Sequence, residues 1–343
     1  LKFTFTYFGD VFANPVGGVR QGAGYDGRFG TIIDADLDKL VGWSGASFHA
    51  SIHQIHGTQF SGQNLDNLMT VSGIEAPPST RLFNLWLAQD IGKQVNLRIG
   101  QFTAAQEFLV SQNANLFVNS TFGWPVLNAQ DLPSGGPAYP EATLGARVRY
   151  SPDDNVMILA AIFNGDPAGP GPGNPVQRDP FGLAFRIQDP PFAIAEIDFS
   201  LGHTHARVNP NQEGSTSPAE PFDDRASELP GTIKLGAWVH TGKFADQQFN
   251  AQGVLLAASG GKPLQHWSDY AVYGVLDQTI WTSAENSSDT SGGGKQTLGL
   301  FLRGVAAPAD RNLIDLYADG GLTFKGPIAS RPDDTIGLGV AYG

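Results

Sequence analysis

The sequence predicts an all-β protein built as a transmembrane antiparallel β-barrel, and three observations carry that prediction. Short segments alternate apolar and polar residues with a period of two along most of the 343 residues. The connections are unequal, some very short and others long and polar, as in barrels with tight turns at one end and long loops at the other. A soluble β-sandwich also has many short strands, so the two faces of the segments weigh more. One face is apolar and carries Tyr25, Phe83, Tyr150, Phe199 and Tyr342 near segment ends, where interfacial girdles sit. The other mixes Arg, Asp, Asn, Gln, His and Ser with little Lys.

Residues 2–12 open the series. In residues 24–40, Tyr25, Phe29, Ile33, Ala35 and Leu37 fall on one face, and Asp26, Arg28, Asp34, Asp36 and Asp38 on the other. Residues 45–57 set Ser47, His49, Ser51 and His53 against Ala46, Phe48, Ala50 and Ile52. Further strands are expected at 80–91, 94–103, 142–151, 155–164, 181–188, 191–202, 231–243, 269–282, 296–306, 312–324 and 335–342. Together these make about fourteen strands, at about 24 residues per strand and connection, which suits ~10-residue membrane strands. Short connections fall at 92–93, at 153–154 and at Pro190. Long ones cover 58–79, 103–141, 166–179, 203–230, 245–267 and 283–295. Residues 104–115 are the best helix candidate. Apolar runs such as 156–163 fall far short of the ~20 residues of a membrane-spanning helix.

Composition removes several function classes. With 21 Lys+Arg against 33 Asp+Glu the formal net charge is −12, which argues against nucleic-acid binding as the main function. Hydrophobic content of 41% with only 16% charged residues excludes a disordered chain. No cysteine is present, which removes disulfides, thiolate metal sites and a cysteine nucleophile. The chain opens on a strand-like alternation from Leu1 to Phe8 and shows no signal peptide. It is therefore either not exported by that route or a processed or trimmed chain.

Several long blocks, in order, resemble the carbohydrate-selective porins of Gram-negative outer membranes, the OprB-like family. They are Gly17-Gly18, GYDGRFGTIIDADLDKLVGWSGASFHASIHQIHG (24–57), TRLFNLWLAQDIG (80–92), LRIGQFTAAQEFLVSQNANLFVNSTFGWP (97–125), DLPSGGPAYPEATLGARVRYSP (131–152), LPGTIKLGAWVHTGKFAD (229–246) and the stretch 310–343. The resemblance implies a sixteen-stranded barrel with an inward-folded loop, passive diffusion of monosaccharides and other sugars, and a narrowest part lined by arginines and carboxylates. An opening Leu-Gly-Asp-Trp-Gly-Gly-like motif, two last strands and a terminal aromatic of the family pattern are missing. An open barrel edge would leave unpaired backbone groups in lipid. The expectation is thus a single outer-membrane barrel domain over 1–343, an incomplete copy of the mature protein; the alternative is a partner chain closing the seam.

The barrel reading places the charged residues. A charge facing lipid costs ~2–4 kcal/mol at mid-membrane, so Arg28, Asp34 and Asp36 should face the lumen together. So should Arg98, opposite Leu97 and Ile99, and Arg147 and Arg149, opposite Ala146, Val148 and Tyr150. Glu196, Asp198, Lys234, Trp238 and His240 follow by the same logic. Residues 103–141 are too long for an ordinary connection and are the expected constriction, folded into the pore. They carry Glu107, Phe108, Asn113, Asn115, Phe117, Asn119, Phe122, Trp124 and Asp131. Amides can hydrogen-bond sugar hydroxyls and aromatic faces can pack on sugar C–H groups; Phe117, Phe122 and Trp124 could equally pack the loop against the wall.

The function expected is a passive outer-membrane channel for small sugars, with no enzyme activity, metal or cofactor. Outer-membrane lipid and lipopolysaccharide are its surroundings, nucleic acid is not a partner, and the assembly is a monomer or homotrimer. The rivals are a structural barrel that anchors a larger assembly and a soluble β-rich carbohydrate-binding protein or hydrolase. Conductance separates the first rival from a channel; heat-modifiable gel migration and detergent dependence separate the second. His49, His53 and His56, or His203 with His205, could bind Zn or Cu but lack a recognisable further ligand. The carboxylates Asp34, Asp36 and Asp38 recur by alternation alone and do not by themselves make a glycosidase pair.

Overall fold

A computed structural model describes residues 1–202, 229–283, 295–328 and 330–343. Thirteen strands form one sheet in which each pairs antiparallel with the next: β1 (Lys2–Asn14), β2 (Gly22–Asp36), β3 (Ala46–Gly57), β4 (Ser79–Ile91), β5 (Val95–Phe102), β6 (Thr143–Tyr150), β7 (Val156–Phe163), β8 (Phe192–Leu201), β9 (Gly231–Asn250), β10 (Pro263–Thr282), β11 (Thr297–Ala306), β12 (Leu316–Lys325) and β13 (Thr335–Tyr342). No helix among the described residues is long and apolar enough to cross a membrane. The alternation expected from the sequence is the alternation of burial. On β5, Asn96 and Arg98 are buried while Leu97 and Ile99 are exposed, and on β9 Lys234 and Trp238 are buried while Leu235 and Val239 are exposed.

The polar face of the sheet curves around residues 103–142, which pack against it. Ala104, Phe108, Leu109, Trp124 and Leu127 of this segment share one cluster with Trp86 of β4, Phe163 of β7, Phe192 of β8, Trp238 of β9, Tyr273 of β10 and Tyr317 of β12. Inward-pointing glycine makes room for the larger rings. A Cβ on Gly236 would stand 2.2 Å from Tyr273 Cζ, so only glycine lets that ring lie across the strand.

The structure corrects the sequence reading at five places. Residues 181–188 are not a strand: they lie in the connection between β7 and β8, which already pair with each other from Val156↔Phe199 to Phe163↔Phe192. The strand expected over 24–40 stops at Asp36, whose side chain accepts from the Lys39 N–H and caps a short helix, α1 (Leu37–Val41). Residues 104–115 form turns and a 3-10 turn at Ala114–Leu116 rather than a helix; the loop's helix is α2 (Val126–Asp131). The connection expected over 245–267 shortens to 251–262, since β9 and β10 run for 20 residues each and take in 245–250 and 263–267. Phe83, expected in the apolar outer face, is buried inside against the His53 ring, with centroids 4.4 Å apart. The expected loops at 203–230 and 283–295, and His203 and His205, lie wholly or mostly outside the described residues.

Candidate functional site

The loop leaves the wall where β5 ends at Phe102. Its two ends are tied by the Ala104 N–H donating to the Pro137 carbonyl at 2.7 Å. Of the polar contacts that hold it to the inner wall, four clusters together reach furthest across the sheet. In the first, Glu107 sits between Arg98 (Nη1–Oε1 2.5 Å) and Arg147 (Nε–Oε2 2.5 Å). Arg98 also lies over the Trp86 ring, 3.8 Å from its centroid, and Arg147 donates to the Asn96 backbone carbonyl at 3.1 Å. Both guanidinium groups are buried, as burial of a charge requires when it is paired and hydrogen-bonded.

In the second, the Leu109 N–H donates to Glu196 Oε2 at 2.8 Å, and Lys234 Nζ lies 3.2 Å from Asp198 and 3.7 Å from Glu196. In the third, Asp277 accepts from Ser111 Oγ (2.7 Å), the Gln112 N–H (3.1 Å) and Asn113 Nδ2 (3.0 Å), while Asn113 Oδ1 accepts from Thr323 Oγ1 at 2.6 Å. In the fourth, Arg303 pairs with Asp319 and donates to the carbonyls of Leu109 (3.2 Å), Thr121 (2.9 Å) and Gly123 (3.2 Å).

The aromatic candidates face protein. Phe117 packs on Phe122 and Phe301, with centroids at 4.9 and 5.5 Å. The Trp124 indole N–H is satisfied within the loop by the Gly135 carbonyl at 3.1 Å. Trp238 reaches from β9 to donate to Asn128 Oδ1 of α2 at 3.1 Å. Phe117 and Trp124 therefore take the packing alternative rather than offering a free ring to a sugar.

Other candidates stand apart from the anchors. Arg28 is buried between the rings of Phe8 and Tyr139, at 4.8 and 5.4 Å. Asp34 pairs with His49 Nδ1 at 2.7 Å, and that His49 ring stacks on Trp86. Asp36 is spent on capping α1 and pairing with Lys39 at 3.1 Å. Arg149 is half-buried on the inner face of β6, and Asn115 is half-buried in the loop with its N–H donating to the Ser111 carbonyl. Asp277, Arg303, Asp319 and the Arg81–Glu141 pair were not singled out from the sequence. Strand alternation could have found Arg303: it shares the inward parity of Phe301 and Val305.

At the loop-bearing end, Asp131 accepts from the Leu313 N–H at 2.7 Å, and burial pushes its pKa up to about 6. A raised folded-state pKa stabilises the fold fully below the ordinary carboxylate value, and that stabilisation is lost as pH rises through 6. The melting temperature is expected to fall between about pH 4 and 6, and Asp131→Asn should flatten that part of a melting-temperature–pH profile. An unchanged profile refutes the assignment.

The model of the family described as carbohydrate-selective porin, OprB family, matches residues 20–343. The chain belongs to that family. Among curated relatives, Porin B of Pseudomonas aeruginosa is 22% identical over 363 residues, with 99% of this chain and 69% of the relative covered. Among solved structures, the high-pH structure of Pseudomonas putida OprB is 24% identical with a TM-score of 0.79, covering 99% of this chain and 74% of that one. The low-pH structure of the same protein is 17% identical with a TM-score of 0.51, covering 99% and 76%. These structures share the all-β porin fold. The four anchors thus belong to a member of the carbohydrate-selective porin family, in which they hold the loop against the inner face of the sheet.

Proposed function

We propose that this porin is a passive pore of the Gram-negative outer membrane, through which monosaccharides and other small carbohydrates diffuse without covalent chemistry or a cofactor. Outer-membrane lipid and lipopolysaccharide surround it, and both a monomer and a homotrimer fit this reading. The observation that supports it is the match to the carbohydrate-selective porin family together with the charged inner face against which the loop is held; where loop and wall meet, a gap of about 40 Å³ is room for a water, not for a sugar. Gln112 and Asn113 of the loop border it, facing Asp198, Thr232, Lys234 and Asp277. Amide, hydroxyl, ammonium and carboxylate groups border it, the kinds of group that can replace a sugar's hydration in steps weak enough to release it.

On this reading the candidates divide by role. Arg149, Asn113, Asn115, Asp34 and Asp198 supply lumen polarity. Arg98, Arg147, Glu107, Glu196 and Trp238 set the loop's position, and Arg28 stiffens the wall beside Tyr139. Asp36 lies at the turn and lines nothing narrow. Thr232→Phe tests the path. Thr232 is half-buried on the inner face of β9, so the larger ring should fill the gap. In planar bilayers it is expected to reduce single-channel conductance and weaken saturable block by glucose. Unchanged conductance and block place the path elsewhere.

A further inference from the structure

The connection between β7 and β8 contains an extended strap, residues 179–189, whose surface differs from that of a solvated loop. Phe181, Leu183, Phe185 and Ile187 are all exposed, from 39% for Phe185 to 80% for Ile187. Its ends are ordered by bonds within the strap, and Asp189 also ties it to Asn164. Asp179 accepts from the Leu183 N–H at 3.1 Å, and Asp189 accepts two hydrogen bonds from Arg186 and one from Asn164 Nδ2.

The strap lies on the outside of the wall. Gln101 shares the outward parity of Leu97 and Ile99 on β5, yet it is buried. Its Nε2 donates to the Gly182 carbonyl at 2.9 Å, and the Leu82 N–H of β4 donates to the Phe181 carbonyl, also at 2.9 Å. Gly182 has φ +64° and its Cβ position is 2.1 Å from the Leu82 carbonyl oxygen, so the strap touches the wall where only glycine fits. β5 pairs with β4 only as far as Gln101↔Leu85 before its chain turns into the pore. The strap covers the β4 edge left open beyond that point.

The wall beneath shows what the strap supplies. At the tight-turn end, Tyr150 and Phe199 face outward from β6 and β8. At the loop end of β4 to β8 the aromatics Phe83, Phe102, Phe163 and Phe192 all point inward and are buried. Those strands therefore carry no outward aromatic at that end, although a membrane barrel has girdles at both interfaces. Phe181, whose carbonyl accepts from the Leu82 N–H, stands where it is missing, and Phe185 follows it on the same strap. Below them the outer surface continues as a shallow apolar groove of Leu97, Ile99, Ala146, Val148, Ala160 and Ile162.

We propose that residues 179–189 are a membrane-seated patch that docks the outer edge of the barrel onto lipid, taking the place of the aromatic girdle that β4 to β8 lack. Its occupant is the interfacial and upper acyl region of the bilayer. The inference rests on the membrane placement given under Proposed function. Because the strap continues the lipid-facing wall, the same apolar medium covers both.

The chain has no cysteine, so single-cysteine variants report one site each. Leu183→Cys and Ile187→Cys, each labelled with an environment-sensitive fluorophore, are reconstituted into phosphatidylcholine vesicles with and without brominated acyl chains. Ile162→Cys on the wall and Lys262→Cys on an exposed loop serve as references. The strap labels are expected to lose fluorescence to the brominated lipid as the Ile162 label does, and to resist aqueous iodide. Quenching by iodide alone, as at Lys262, places the strap in water and overturns the proposal. Protection from both quenchers means that protein covers the strap, a second copy included, and also overturns it. If the Ile162 label ignores brominated lipid too, membrane placement itself falls and the strap's role with it; if only the strap labels do, the pore stands and the strap's role alone is wrong.

Discussion

In the Glu107→Ala protein the loop is expected to lose its hold on the β5–β6 wall, with conductance raised and glucose block weakened. Glu107 is the shared counter-charge of Arg98 and Arg147, and all three side chains are almost fully buried. Removing one partner of a buried ion pair costs about 3–5 kcal/mol, because the charge left behind has neither water nor counter-ion. Here two guanidinium groups are left within reach of each other, so repulsion adds to the lost pairing. Relief comes by letting water in, which means moving the loop. Glu107→Gln keeps the acceptor oxygen and should lie between wild type and alanine. Melting in detergent and single-channel recording read the two consequences. A normal melting temperature with normal block in the alanine variant means the arginines find other partners and the anchor is dispensable.

Arg303→Met is expected to act as strongly, at the opposite wall. The side chain is buried, pairs with Asp319 and donates to three carbonyls on both limbs of the loop, at Leu109, Thr121 and Gly123. Methionine fills much of the volume but satisfies none of these acceptors, and Asp319 keeps only Tyr317 as a donor at 2.5 Å. The loss again falls at about 3–5 kcal/mol for a broken buried pair. The Asp319→Asn, Arg303→Met double variant should recover part of it, since the stranded charge is gone. Failure of the double variant to recover any melting temperature would show that the carbonyl contacts, not the ion pair, carry the anchor.

The barrel wall was legible in the sequence because a strand has only two faces. Parity alone placed Arg98, Arg147, Glu196, Asp198 and Trp238 inside. It misplaced Phe83 for a definite reason. The register between β3 and β4 shifts at Ser51/Ile52, opposite Phe83, so one extra residue reverses the alternation beyond it. Leu85 and Leu87 face outward, yet Phe83 and Arg81, of the same parity, face inward. Nothing in the local sequence marks such a bulge. The infolded loop has no period to read, so whether Phe117 and Trp124 met solute or wall depended on contacts with distant strands. The strap at 179–189 was misread in the other direction. Its period of two is real, but β7 and β8 pair with each other and leave no place between them, and it meets the free edge of β4 only through the Leu82 N–H.

The loop's partners also fix an order of events in time. Ser111 meets a residue 166 positions away, Leu109 one 194 away and Asn113 one 210 away. Its seat therefore does not exist until β10, β11 and β12 are in place, however early its own residues leave the ribosome. Closing such long spans must precede the reward of the contacts they allow, which makes this docking a late and slow step. Until then Ser111, Asn113 and the Leu109 carbonyl lack the partners that hold the loop inside. Seating of the loop thus reports that the far wall has been built, and the infolded loop in its final position marks a finished molecule.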